Sequence, residues 1–187
     1  ATRGGAGWVL GDRLASDALW VGLGGAIPRL CSDQILFQAT ALSPGKTIEV
    51  RKAHAADFEW VHAAASQMVE EDLSLPWAGQ RPELFSSHIR SAIREGAEYV
   101  GSVQNRLVYR VERGAHGVYG AQIGGIWVVP ELRGQGLGQA GTRSVCELLL
   151  QRTPRVTMHV RADNARAIRC YESIGFEPIR DFRLLVR

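Results

Sequence analysis

The chain has 187 residues, of which 45% are hydrophobic and 22% charged, with a formal net charge of +3. Such a composition belongs to a soluble globular protein and excludes a disordered one, and the length suits one fair-sized domain with at most a small extension. The longest apolar run, Ala18 to Ile27, is too short to span a bilayer, and nothing has the order of a signal peptide, so no membrane association and a cytoplasmic location are expected.

Cys31, Cys146 and Cys170 lie far apart and the five histidines are scattered, which argues against a disulfide framework and against any metal site. The small net charge hides an asymmetry. Acidic residues gather at Glu70, Glu71 and Asp72, whereas nine arginines lie between Arg143 and Arg187. A basic C-terminal half suits an anionic ligand. The aromatic–basic interleaving of a nucleic-acid platform is missing, so no nucleic acid is expected.

Residues 1–46 are Gly-rich, with a short strand at Trp8 to Leu10, another at Ala18 to Leu23 and a helix from Ser32 to Leu42. The turn "SPGK" at 43–46 closes this N-terminal extension, and residues 47–187 read as one further domain. There "TIEVRKA" alternates as a strand. "AADFEWVHAAASQMVEEDL" follows as a helix with Phe58, Val61, Ala65 and Met68 on one stripe. After a loop, "LPWAGQRP", a second helix turns Leu84, Ile89 and Ile93 inward and stops at Gly96. "AEYVGSV", "NRLVYRVERG" and "VYGAQIGGIWVV" form an antiparallel meander. A helix from about Gly136 to Arg152, the strand "RVTMHV", the helix "NARAIRCYESIG" and one or two final strands complete the chain. The fold class is therefore α/β, with a mixed sheet flanked by helices.

The stretch Arg133-Gly134-Gln135-Gly136-Leu137-Gly138 opens a helix. A helix start exposes unpaired N–H groups and the positive end of the helix dipole, and glycines there let a phosphate approach without meeting a Cβ. No Lys-Ser/Thr pair follows, so this is not a nucleotide P-loop. The strand before it ends a meander, so it is not a dinucleotide fingerprint. Alone the pattern is weak. A second signature follows about 26 residues after Gly138, with Asn164, Ala167, Tyr171, Gly175 and Phe176 in "NARAIRCYESIGF".

Residues 123–138 and 156–176 together resemble the two core motifs of the GNAT superfamily of acetyl-CoA-dependent N-acetyltransferases, and the element order from Thr47 is similar to that fold. The resemblance implies a splayed central sheet and transfer of acetyl from acetyl-CoA directly to a primary amine, on a small molecule or a peptide. It implies that the loop, Arg133 to Gln139, cradles the pyrophosphate of coenzyme A. The pantetheine arm would lie along the backbone of Trp127, Val128 and Val129, and Asn164, Ala167 and Tyr171 would face the cofactor from the following helix. The pair Gly124-Gly125 fits a bulge or a close backbone approach.

For the chemistry, the matching tyrosine of the family protonates the leaving thiolate, which makes Tyr171 the candidate acid; the alternative is a core tyrosine. The strand that supplies a glutamate base in many relatives has no acidic residue here. Ribosomal-type N-terminal acetyltransferases carry a glutamate where this chain has His159, and a neutral imidazole performs the same proton transfer. A histidine merely satisfied on a strand face is the competing reading. Glu70 and Glu71 end the first helix of the domain, beside the acceptor in the family, and read either as an attraction for a cationic amine or as a solvated helix end. Residues 1–46 are similar to the N-terminal addition of one acetyltransferase subgroup; completing the sheet, covering the acceptor and forming a homodimer are the roles open to them. An acyl-CoA sensor that binds without turnover is the alternative to an enzyme.

Overall fold

The computed structural model describes residues 7–73 and 82–187. The N-terminal segment supplies β1 (Trp8–Asp12), α1 (Arg13–Gly22) and β2 (Leu30–Ala39). β3 (Glu49–Lys52), α2 (Phe58–Leu73) and α3 (Pro82–Arg94) follow. Then come β4 (Glu98–Val103), β5 (Arg106–Gly117) and β6 (Gly120–Val128), and last α4 (Leu137–Leu150), β7 (Val156–Arg161), α5 (Ala165–Ile174) and β8 (Glu177–Val186). The expected loop at 75–82 lies, up to residue 81, outside the described residues.

All the described strands join one sheet in the order β1-β8-β2-β7-β6-β5-β4-β3. Every neighbouring pair is antiparallel except β6 and β7. The expected meander β4-β5-β6 is present, and the β4–β5 turn puts Gln104 and Asn105 at φ 51° and 62°, as a two-residue hairpin turn requires. The parallel pair is brief. Ala121 faces Val156 and Gln122 faces Thr157, and beyond that the two strands share no further register. From Ile123 onward β6 therefore has a free edge, and the sheet opens into a fork.

The N-terminal segment departs most from expectation. Residues 30–39 form a strand, not the helix expected over Ser32 to Leu42, and β2 lies between β7 and β8, paired on both sides. Phe37 and Ala39 point into the core while Leu36 and Gln38 face the other way, a period of two that the helical reading overlooked. The strand expected at Ala18 to Leu23 lies within α1 and its end. Asp12 caps that helix by accepting the N–H groups of Leu14 and Ala15, and Ser16 and Trp20, four apart, turn inward together. Arg183 on β8 donates to Asp17 of α1 and to Asp33 of β2, which ties the three elements together. In α3 it is Phe85 that is buried with Ile89 and Ile93, whereas Leu84 is 59% exposed. The C-terminal stretch forms the single strand β8.

The main core packs α4 against the sheet. A Cβ on Gly141 would lie 2.7 Å from the ring of Tyr109, whose hydroxyl shares a hydrogen bond with Thr142. On the opposite face α2 and α3 bury Phe58, Val61, Ala65 and Phe85 against Val100. Buried Arg110 and Glu98 form an ion pair across β5 and β4 on that face.

Candidate functional site

The fork is where the glycine loop and both later helices converge. Gly134 and Gly136 have φ of 83° and 79°, backbone that side chains rarely adopt, and a Cβ on either would meet only open space. Gly136 is the N-cap of α4 and offers no side chain to the first turn. The N–H groups of Leu137, Gly138 and Gln139 are thus left without intrahelical partners, and these residues line a cavity of about 470 Å³. Gln135 is exposed and lies off the cavity wall.

The opposite wall is α5. Asn164 caps this helix through its side-chain oxygen, which accepts the Ala167 N–H at 3.0 Å and leaves the amide N–H₂ as its donor. Asn164, Ala167 and Tyr171 line the large cavity and also a second one of about 230 Å³ on the other side of the fork. Arg166 and Arg169 add positive charge to the large cavity alone.

β6 forms the floor. The Val129 N–H donates to Val108 on β5, so strand alternation turns the backbone groups of Val128 and Ile126 toward the free edge. Trp127 and Val128 line the large cavity, while Val129 is buried and faces β5. The expected bulge is present. Val111 stands opposite both Gly125 and Ile126, because Arg110 pairs with Trp127 and Glu112 with Gly124. Gly125 has φ of 60°, and a Cβ there would fall 2.9 Å from Nη1 of Arg110.

Arg133 is already engaged. Its Nε donates to the Val128 carbonyl at 2.9 Å, and its Nη2 donates to Glu71 at 3.0 Å. Glu71 therefore belongs to the large cavity, whose wall it shares with Arg133. Glu70 is exposed and lines neither cavity.

His159 lies in the small cavity, its ring 4.7 Å from that of Phe182. Its Nδ1 is 3.2 Å from the Gln122 side chain, across the point where the strands part. Its Nε2 is buried with no hydrogen-bond partner among the described residues. Burial pushes the imidazole below its ordinary value, so the ring is neutral at pH 7. Burial also pushes the Cys146 thiol up to about 12 and raises Cys170, so neither is a thiolate near neutrality. Among the described residues no cluster of His, Cys, Asp or Glu could hold a metal ion, and no helix is long and apolar enough to cross a membrane.

The family model for the GNAT acetyltransferases matches residues 48–176. The chain belongs to this family. No curated protein matches the chain in sequence. Solved structures share the GNAT fold. A GNAT-family acetyltransferase from Colwellia psychrerythraea aligns with a TM-score of 0.65 at 13% identity over 96% of this chain, which spans 64% of that protein's length. A ribosomal-protein-alanine N-acetyltransferase from Brucella melitensis aligns at 0.57 and 20% identity, covering 75% of this chain and 99% of its own. A ribosomal L7/L12 alpha-N-protein acetyltransferase in complex with coenzyme A aligns at 0.56 and 18% identity, covering 78% of this chain and 97% of its own.

On this GNAT framework the sequence-derived residues divide. The loop, Asn164, Ala167 and Tyr171 come together at the fork, and His159 joins them on its small-cavity side. Residues that sequence reasoning missed are Met68 and Ile126 in the large cavity, and Leu10, Gln34 and Leu184 in the small one. The period-two alternation of residues 32–39 was the signal that could have brought Gln34 into view.

Proposed function

We propose that the protein moves an acetyl group from acetyl-CoA directly to a primary amine. The observation that carries this reading is the uncapped start of α4. Left-handed glycines with open space around them point its unpaired N–H groups into a cavity that also runs along the free edge of β6. An elongated ligand with a pyrophosphate at one end and amide groups along its arm suits that cavity at both ends. Arg166 and Arg169 line the same cavity and suit further phosphate charge.

In the transfer, the amine nitrogen bonds to the thioester carbonyl carbon, and collapse of the tetrahedral species breaks the C–S bond. The Tyr171 hydroxyl gives its proton to the departing thiolate and is restored by the proton that the former amine nitrogen sheds as it becomes the amide. The amine must reach the carbonyl neutral, although an alkyl ammonium has a reference pKa of about 10.4. His159 takes that proton at Nε2. It does so when Gln122 turns its amide oxygen to accept from Nδ1–H, because amide oxygen and nitrogen exchange places by a half-turn.

One observation favours a sensor that binds acyl-CoA without turnover: the small cavity has no carboxylate among its described lining residues. Calorimetric titration of acetyl-CoA, followed by thiol release across a panel of amines, decides between the readings. Binding with amine-dependent thiol release is the expected result. Binding without release from any amine leaves the sensor, and an absence of binding removes both.

A further inference from the structure

The small cavity is assembled from segments far apart in the chain. Leu10 comes from β1, Gln34 from β2 and Leu184 from β8, and these meet Gly124, Ile126 and Met158 from the two arms of the fork. Register explains the arrangement: Leu10 pairs with Leu184, and Gln34 stands between Arg161 and Phe182, so their side chains emerge on one face of the sheet. Val9 and Leu185, one residue along, emerge on the other face and pack with Trp20 of α1. The N-terminal segment thus puts two side chains into a cavity that the family motifs alone do not enclose.

The chemistry of the walls is selective. Leucine, isoleucine, methionine and valine share the walls about equally with polar side chains, of which Gln34, Asn164, Tyr171 and His159 are neutral. Among the described lining residues the one permanent charge is Arg161, and its guanidinium donates to both oxygens of Asp163. An acceptor with a second ammonium group would bring that charge among described lining residues that offer no carboxylate to pair it. The volume, about 230 Å³, matches roughly eight water-sized atoms.

We infer that the acceptor is a compound with a single amine on an apolar body, seated in the cavity that Leu10 and Gln34 complete. This deepens the acetyl-transfer reading and rests on it. A free alkylamine and the apolar N-terminal residue of a peptide present the same chemistry. Hexylamine and leucinamide represent these two sources, and 1,6-diaminohexane matches hexylamine in length while adding the second charge.

The test compares kcat/KM for the three amines in the unmodified protein, in Leu10→Asp and in Gln34→Glu, with acetyl-CoA affinity and thermal melting measured on each. In parallel, hexylamine is titrated into the coenzyme A-saturated protein. Hexylamine or leucinamide should exceed the diamine at least tenfold. Leu10→Asp should erase that preference through KM, with acetyl-CoA affinity within twofold. Gln34→Glu adds no bulk and should shift the preference in the same direction, which covers the case in which Leu10→Asp does not fold. Preference for the diamine, or variants that leave the ratio unchanged, would overturn the inference while acetyl transfer stands. Hexylamine binding that the variants weaken, without any transfer, would keep the subsite and remove the transfer reading. Neither binding nor transfer would remove both.

Discussion

The two sides of the fork are built in different ways. The large cavity owes most of its walls to local sequence: six consecutive residues shape the loop, the next turn supplies unpaired N–H groups, and one further helix closes the wall, with Met68 and Glu71 of α2 added from afar. The small cavity depends on pairings between strands far apart in the chain, Leu10 with Leu184 and Gln34 with Arg161 and Phe182. A cofactor common to a whole family can be held by a short motif. On the reading proposed above, the acceptor instead meets walls assembled by long-range strand pairing.

The sharpest way to break the cofactor side is Gly136→Glu. A side chain at φ of 79° strains the backbone, and a carboxylate at the helix N-terminus occupies the place of the phosphate. Acetyl-CoA affinity should fall by about a hundredfold or more, read by calorimetry, while backbone strain of about 1 kcal/mol or more lowers the melting temperature by a few degrees. Retained affinity would mean that the pyrophosphate sits elsewhere.

Tyr171→Phe probes a residue shared by both cavities. Removing an acid from the leaving group should lower kcat by about ten- to a hundredfold. Acetyl-CoA affinity should stay within twofold, because the ring and its contact with Phe176 are kept. An unchanged kcat would return Tyr171 to the role of a packing residue.

His159→Ala should cost about tenfold in kcat. The direction of the pH effect follows from burial. An imidazole held below its ordinary value of about 6.5 stays neutral, and able to accept a proton, to lower pH than a free one. The acidic limb of the wild-type pH–rate profile should therefore lie below pH 6.5 and disappear in the variant. A limb that survives unchanged belongs to another group, and His159 is then a wall residue braced by Gln122 and Phe182.

These effects also measure what could be read in advance. The loop, the meander, the bulge that begins at Gly125 and the placement of Asn164 and Tyr171 were legible, since each depends on backbone chemistry within a few residues. β2 was not. "SDQILFQA" carries both an alternating and a helical apolar pattern, and what decides between them is two flanking strands more than a hundred residues away. The same distance hid Gln34 and Leu10 from the site. Glu71 depends on a similar distance: its helix end lies beside the fork, and Arg133, 62 residues on, draws its carboxylate to the large cavity.

Glu71 gives the smallest and most discriminating effect. Its pair with Arg133 is half exposed, and such pairs contribute about 0.2 to 1 kcal/mol. If the arginine must leave Glu71 to meet a phosphate, Glu71→Gln removes that competition. Acetyl-CoA then binds up to about fivefold more tightly, and the gain shrinks as salt screens both contacts. Weaker binding in the variant would mean the opposite arrangement, in which Glu71 holds Arg133 against the Val128 carbonyl and so keeps the floor of the cleft in place. In either case the KM for the amine should not move, because Glu71 lines the large cavity and not the small one. A change confined to the amine KM would join the two halves of the cleft that the geometry keeps apart, and would restore Glu71 to the acceptor.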